Sequence, residues 1–117
     1  MSEVSDAVRR LLIQRCGSRK TRGSSWSRPM PTDWKPEHLV HPLRQGETFT
    51  EDSAWQFIQD LLVEGCPIDV IPLDKPPNAK GYVIIVKGHP PIDKIYIKLQ
   101  LTADKVWGRS FHESYPR

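Results

Sequence analysis

Residues 94 to 101, Lys-Ile-Tyr-Ile-Lys-Leu-Gln-Leu, alternate polar and apolar side chains without a break. A period of two is the signature of a strand with one face buried. Ile95, Ile97, Leu99 and Leu101 fall on the face that belongs to a core, and Tyr96, Lys98 and Gln100 fall on the other. This strand constrains its neighbours. Tyr82 to Lys87 is apolar throughout and rich in β-branched residues, which predicts a central strand covered on both faces. Val106 to His112 predicts a closing strand, and Ile68 to Leu73 a short one whose Pro72 cannot donate to a ladder and so marks an edge. Pro76, Pro77 and Asn78 turn the chain between them. The connections after Lys87 and Leu101 are too short for a crossover, so the sheet is expected to be antiparallel.

Two helices are expected ahead of that sheet. Val4, Val8, Leu11 and Leu12 recur at helical spacing, with Ser2 as a candidate N-cap, Arg15 near the end and Gly17 as a stop. Thr50 is a good cap for a second helix, Glu51 and Asp52 suit its positive end, and Ala54, Trp55, Ile58, Leu61 and Leu62 form one apolar stripe that ends at Gly65. The fold class is therefore α+β, two helices followed by a small antiparallel sheet of about four strands. Residues 1–49 read as a helix and a basic arm rich in Pro, Ser and Trp, and residues 50–117 as the α+β core. A structureless connection as long as 17–49 is uncommon in a compact domain, and its tryptophans predict that it wraps over the core in part.

Composition removes several functional classes. No run approaches the roughly 20 apolar residues of a membrane helix, and the N-terminus lacks the order of a signal peptide, so the chain is expected in the cytoplasm. Cys16 and Cys66 are too few for a disulfide framework and lack zinc-site spacing, which makes them reduced structural thiols. The net charge of +3 is unevenly spread. Residues 1–28 carry seven bases against two acids and residues 70–117 eight bases against four, leaving an acidic middle. Basic ends of this kind point to an anionic partner.

Register decides which polar groups share a surface. A three-residue loop, with Asp104 or Lys105 left-handed, would pair Leu101 with Trp107, Ile97 with Phe111, Tyr96 with His112 and Lys98 with Ser110, giving both aromatics to the core and turning Arg109 away. A four-residue loop would instead set Gln100 against Trp107 and Tyr96 against Phe111, and so lose two aromatics from the core. We expect the former. Lys87 would then face Lys94, and both join Tyr96, Lys98 and His112 on one basic face. Like charges held together are explained by a bound anion, although a plain solvated face accounts for them too. Cleavage of RNA suits such a face: a base takes the 2′-hydroxyl proton, cations stabilise the charge growing on the phosphate, and an acid protonates the leaving oxygen. His112 and Tyr96 are the candidate catalytic residues, and Lys87, Lys94, Lys98 and Arg109 the candidate RNA-binding ones. This chemistry calls for no metal and no other cofactor. His38, His41 and His89 are assigned to structure or solvent, and Gly81 and Gly88 to turns.

The stretch Ile95-Tyr-Ile-Lys-Leu with Val106-Trp-Gly-Arg-Ser-Phe-His112 resembles the final hairpin of the motility quorum-sensing regulator toxins, which belong to the RelE-like group. The resemblance covers about the last 25 residues and the order of helix then sheet before them. In that family a tyrosine of a Tyr-x-Lys strand faces a lysine that follows Ser-Phe. Tyr96 matches the tyrosine, and His112 stands where the lysine would be. The family's other catalytic lysine and glutamine have no clear match between Ile68 and Lys87. The resemblance implies an endoribonuclease of a type II toxin–antitoxin pair, with RNA as substrate, a cognate antitoxin chain as partner and no association with membranes. Two other readings stand beside it. One is a non-catalytic nucleic-acid-binding module in which the bases of residues 9–28 supply affinity and Trp26 or Trp34 stacks on bases. The other is a small protein-interaction module.

Overall fold

Helix α1 (Asp6–Cys16) starts where the Ser5 hydroxyl accepts the Val8 amide at 3.2 Å, and Asp6 complements the positive end of its dipole. The expected cap, Ser2, lies outside the residues that this computed structural model describes, which are 4–44 and 46–114. Two short strands follow, β1 (Arg22–Gly23) and β2 (Asp33–Trp34), then a single 3₁₀ turn (Pro36–His38). Helix α2 (Glu51–Val63) opens on a capping box in which Thr50 and Ser53 each satisfy the other's backbone amide. It closes at Gly65, whose φ of 86° a side chain would resist. Strands β3 (Asp69–Pro72), β4 (Lys80–Lys87), β5 (Lys94–Leu101) and β6 (Val106–Glu113) complete the chain.

The class is α+β, with a mixed six-stranded sheet in the order β1-β6-β5-β4-β3 and β2 also on β6. Strands β3 to β6 form the expected antiparallel meander with β3, and its Pro72, at the edge. The expectation of about four strands is corrected by β1 and β2, which lie between the helices and pair parallel to β6. Their cause is an otherwise open ladder: the Val106 amide donates to Thr21 and the Lys35 amide to the Phe111 carbonyl, both at 2.9 Å.

One core joins helices and sheet. Leu12 and Cys16 of α1, Leu39 and Phe49, the α2 stripe of Trp55, Ile58 and Leu62, and Ile84, Ile95, Ile97, Leu99, Val106 and Phe111 of the sheet are all buried. Each such side chain contributes roughly 1.5–3 kcal/mol of transfer free energy. Trp34 pins the segment before α2: its ring stacks on Trp55 at 5.0 Å, meets Phe111 edge-on at 5.3 Å and donates its N–H to Glu51 at 2.9 Å. The segment 17–49 thus wraps over the core in part, as expected, through Trp34, while Trp26 stays 64% exposed.

Arginines staple the N-terminal segment to the rest. Arg9 donates to the Leu62 and Cys66 carbonyls at the end of α2, and Arg15 to the carbonyls of Thr102, Ala103 and Lys105 in the β5–β6 loop. Arg22 donates to the Cys16 carbonyl and to Asp52, which also pairs with Arg19. Four of the seven N-terminal bases therefore have internal partners.

Candidate functional site

The helices cover one face of the sheet; the other carries the candidate residues. Its β5–β6 pairing combines the expected register with the rejected one. Near the loop Leu101 faces Val106 and Gln100 faces Trp107, whereas farther along Lys98 faces Ser110, Ile97 faces Phe111 and Tyr96 faces His112. The shift falls between Lys98 and Leu99, so Arg109 is the extra residue of a β-bulge. This corrects the expected pairing of Leu101 with Trp107, and neither Asp104 nor Lys105 is left-handed. Val106 fills the core in place of Trp107, whose ring covers Gly23 of β1. The bulge also reverses the expected placement of Arg109: it stands on the same face as Lys98 and Ser110.

Tyr96 and His112 meet as the register requires, their rings stacked at 5.4 Å and 19°. The His112 Nδ1–H donates to the Glu113 carbonyl at 2.8 Å. That bond directs Nε2 toward Asp33, whose Oδ2 lies 3.5 Å away, while the other carboxylate oxygen is 3.2 Å from Lys35. Asp33 reaches this position because β2 pairs in parallel with β6, Asp33 opposite Ser110. Nothing in the sequence pattern marks it, since β2 is two residues long.

Beside the ring pair is a recess of about 450 Å³. Lys98, Arg109 and Ser110 form its floor, residues 31–33 one wall and Leu73, Asp74 and Lys75 the other. Two local features build it. Arg109 is only 5% exposed, donating Nε to the Pro31 carbonyl at 2.8 Å and Nη1 to Gln100 at 2.6 Å, which ties the first wall to the floor. The second wall folds back because Gly81 of β4 has no side chain: a Cβ there would stand 2.8 Å from Leu73. Gly81 is thus a packing glycine within a strand, not the expected turn glycine.

The charges of the floor are only partly compensated. Burial first, then the Arg109 charge, push the Lys98 ammonium below its ordinary range, with Asp33 and Asp74 opposing. Burial lowers Arg109 as well. No carboxylate lies within ion-pair distance of either cation among the described residues. Lys87 and Lys94 face each other farther along β4 and β5, both exposed and beyond the recess. The register therefore sets the Tyr96–His112 pair between Lys98 and Ser110 on one side and Lys94 on the other; Arg109, Asp33 and Lys75 join Lys98 around the recess, and Lys87 and Lys94 lie outside it.

The remaining candidates are structural. His41 is buried between Phe49 and Phe57 with Nδ1 accepting the Leu43 amide, and burial raises the Cys16 thiol to about 12, a value at which it is inert. No described helix is long and apolar enough to cross a membrane. Comparison with protein-family models, with curated proteins and with solved structures found no match to this chain.

Proposed function

We propose that this protein is an endoribonuclease of the toxin type, cleaving RNA without a metal and held in check by a cognate antitoxin. The observation that carries the proposal is the stacked Tyr96–His112 pair beside two recessed cations, Lys98 and Arg109, that lack an ion-pair partner among the described residues. In this mechanism the 2′-oxygen attacks the adjacent phosphorus, the bond to the 5′-oxygen breaks, and the products are a 2′,3′-cyclic phosphate and a 5′-hydroxyl. His112 Nε2 takes the 2′-hydroxyl proton and gives it to the departing 5′-oxygen, while Asp33 keeps its contact with Lys35. Tyr96 holds the imidazole plane, and the cations stabilise the charge that grows on the phosphate in a site partly withdrawn from water.

The test is RNA cleavage in the presence of a chelator. His112→Ala should lower the rate by about 100-fold or more, the scale of general acid–base catalysis, with RNA affinity nearly unchanged. The double change with Tyr96→Phe should lose less than the product of the single losses. An alanine variant that cuts as fast as the parent would sink the proposal and favour the non-catalytic module. The exposed Trp26, close in sequence to the exposed Lys20 and Arg28, is the observation on that side, since an aromatic among bases offers a stacking platform.

A further inference from the structure

We infer that the protein recognises RNA through a terminal phosphomonoester bound in the recess between the two walls, on Lys98, Arg109 and Ser110. This rests on the RNA-directed proposal and narrows its substrate class.

Three observations support it. First, the floor is recessed: Arg109 and Ser110 are each 5% exposed and Lys98 is half-buried. Neither cation has a carboxylate within ion-pair distance among the described residues, so an anion that binds on the floor offsets a desolvation cost that Asp33 and Asp74 meet only from across the recess. Arg109 has fixed Nε and Nη1 on internal acceptors, so its orientation is set before any ligand arrives. No buried side-chain nitrogen or oxygen lacks a partner among the described residues, so the unused Nη2 reaches the recess and not the interior.

Second, the donors suit a group with three free oxygens. The Lys98 ammonium, the Arg109 Nη2 and the Ser110 hydroxyl converge from two adjacent strands, and Lys75 stands on the lip. A phosphomonoester presents three such oxygens and close to two negative charges near neutral pH. An internal diester presents two oxygens and one charge. The volume of about 450 Å³ also falls within the roughly 300–1,000 Å³ of sites that enclose small ligands.

Third, each wall carries a carboxylate, Asp33 on one side and Asp74 on the other, and both act on Lys98 across the recess. A continuous backbone laid through the recess would pass both acids, each repelling its phosphates. A strand that enters by its end places one phosphate on the floor, where Lys98, Arg109 and Lys75 outnumber the two acids, and carries no further phosphate past them. The same acids leave Lys87 and Lys94, outside the walls, to meet the rest of the strand.

The experiment uses the full chain and three RNA oligonucleotides of one sequence, each 2′-O-methylated to block cleavage. One carries a 5′-phosphate, one a 3′-phosphate and one neither. Binding is followed by fluorescence anisotropy at fixed salt, with inorganic phosphate as competitor. One phosphorylated form should bind about tenfold tighter than the unphosphorylated strand, the gain of roughly one charge-assisted contact. Lys98→Gln should erase that advantage without lowering the melting temperature, and inorganic phosphate should compete with the phosphorylated form alone. If Lys98→Gln does fold poorly, Lys75→Gln on the exposed lip should reduce the advantage instead. Equal binding of all three strands overturns the inference, as does an advantage that survives both substitutions. Cleavage of unmodified RNA is scored separately: cutting with no preference for a phosphorylated end removes this inference alone, whereas end preference without cutting removes the ribonuclease mechanism alone.

Discussion

Replacing Gly108 by alanine adds one methyl group to the residue before the bulge, and that methyl would run into the six-membered ring of Trp34. The glycine is needed because β2 lies against β6 with the indole directly over it. Neither side can give easily: Gly108 is fixed by its pairing with Leu99, and Trp34 is held between Trp55 and Phe111. Displacing the ring forfeits two aromatic contacts, at about 0.5–1.5 kcal/mol each. It also breaks the bond to Glu51, worth about 1 kcal/mol net. The expected loss is about 3 kcal/mol, or roughly 10 °C in melting temperature for a domain of this size. Differential scanning calorimetry measures the shift, and a double-mutant cycle with Trp34→Leu tests the cause. Once the indole is gone the alanine should cost little further, so the two losses should fall well short of additive. A Gly108→Ala protein that melts within 2 °C or so of its parent, a threshold well below the expected shift, would refute the packing explanation.

Two further outcomes follow from the same contacts. Arg15→Ala removes three bonds to loop carbonyls and should destabilise the fold by about 2 kcal/mol in chemical denaturation, with the salt dependence of RNA binding unchanged. A flattened salt slope would show instead that this arginine meets RNA. Burial, then the Arg44 charge, hold His41 below its ordinary value, while Glu47 and Asp60 oppose. A depressed histidine binds its proton more readily when unfolded, so its contribution is intact above about pH 6.5 and is lost as the pH falls from there through the folded value. Denaturation midpoints should therefore drop on that acid limb for the parent and less for His41→Gln; parallel profiles would contradict the assignment.

Strand β5 was legible because burial of one face leaves a period of two in the sequence, and the start of α2 because the Thr50 cap and the acidic first turn are local chemistry. Both hairpin registers weighed from the sequence were partly right, since each assumed that β5 and β6 pair without interruption. A bulge adds one residue and leaves no compositional trace; Gly108 beside Arg109 hints at it only once Trp34 is known to lie above. Strands β1 and β2 were illegible for a related reason: two residues cannot show a period, and their pairing is dictated by the free edge of a strand more than 70 residues away. The N-terminal arginines look like an anion footprint when counted, because a count does not distinguish a guanidinium facing solvent from one capping a carbonyl. At the candidate site Tyr96 and Lys98 were legible from alternation and His112 from the hairpin register, but Asp33 and Lys75 arrive through tertiary packing.

The pairing of β1 and β2 with β6 also sets an order of events for a chain made from its N-terminus. Arg22 and Asp33 emerge early, yet their partners Val106 and Ser110 are among the later residues to appear. Until then the indole of Trp34 lacks the Phe111 ring, Arg15 lacks the loop it clamps, and the N-terminal half waits with exposed apolar surface. Contacts of such long sequence separation slow folding. A ribosome-bound chain halted before β6 should therefore be open to proteases across residues 17–49, and closure should come as one late step when that strand is released.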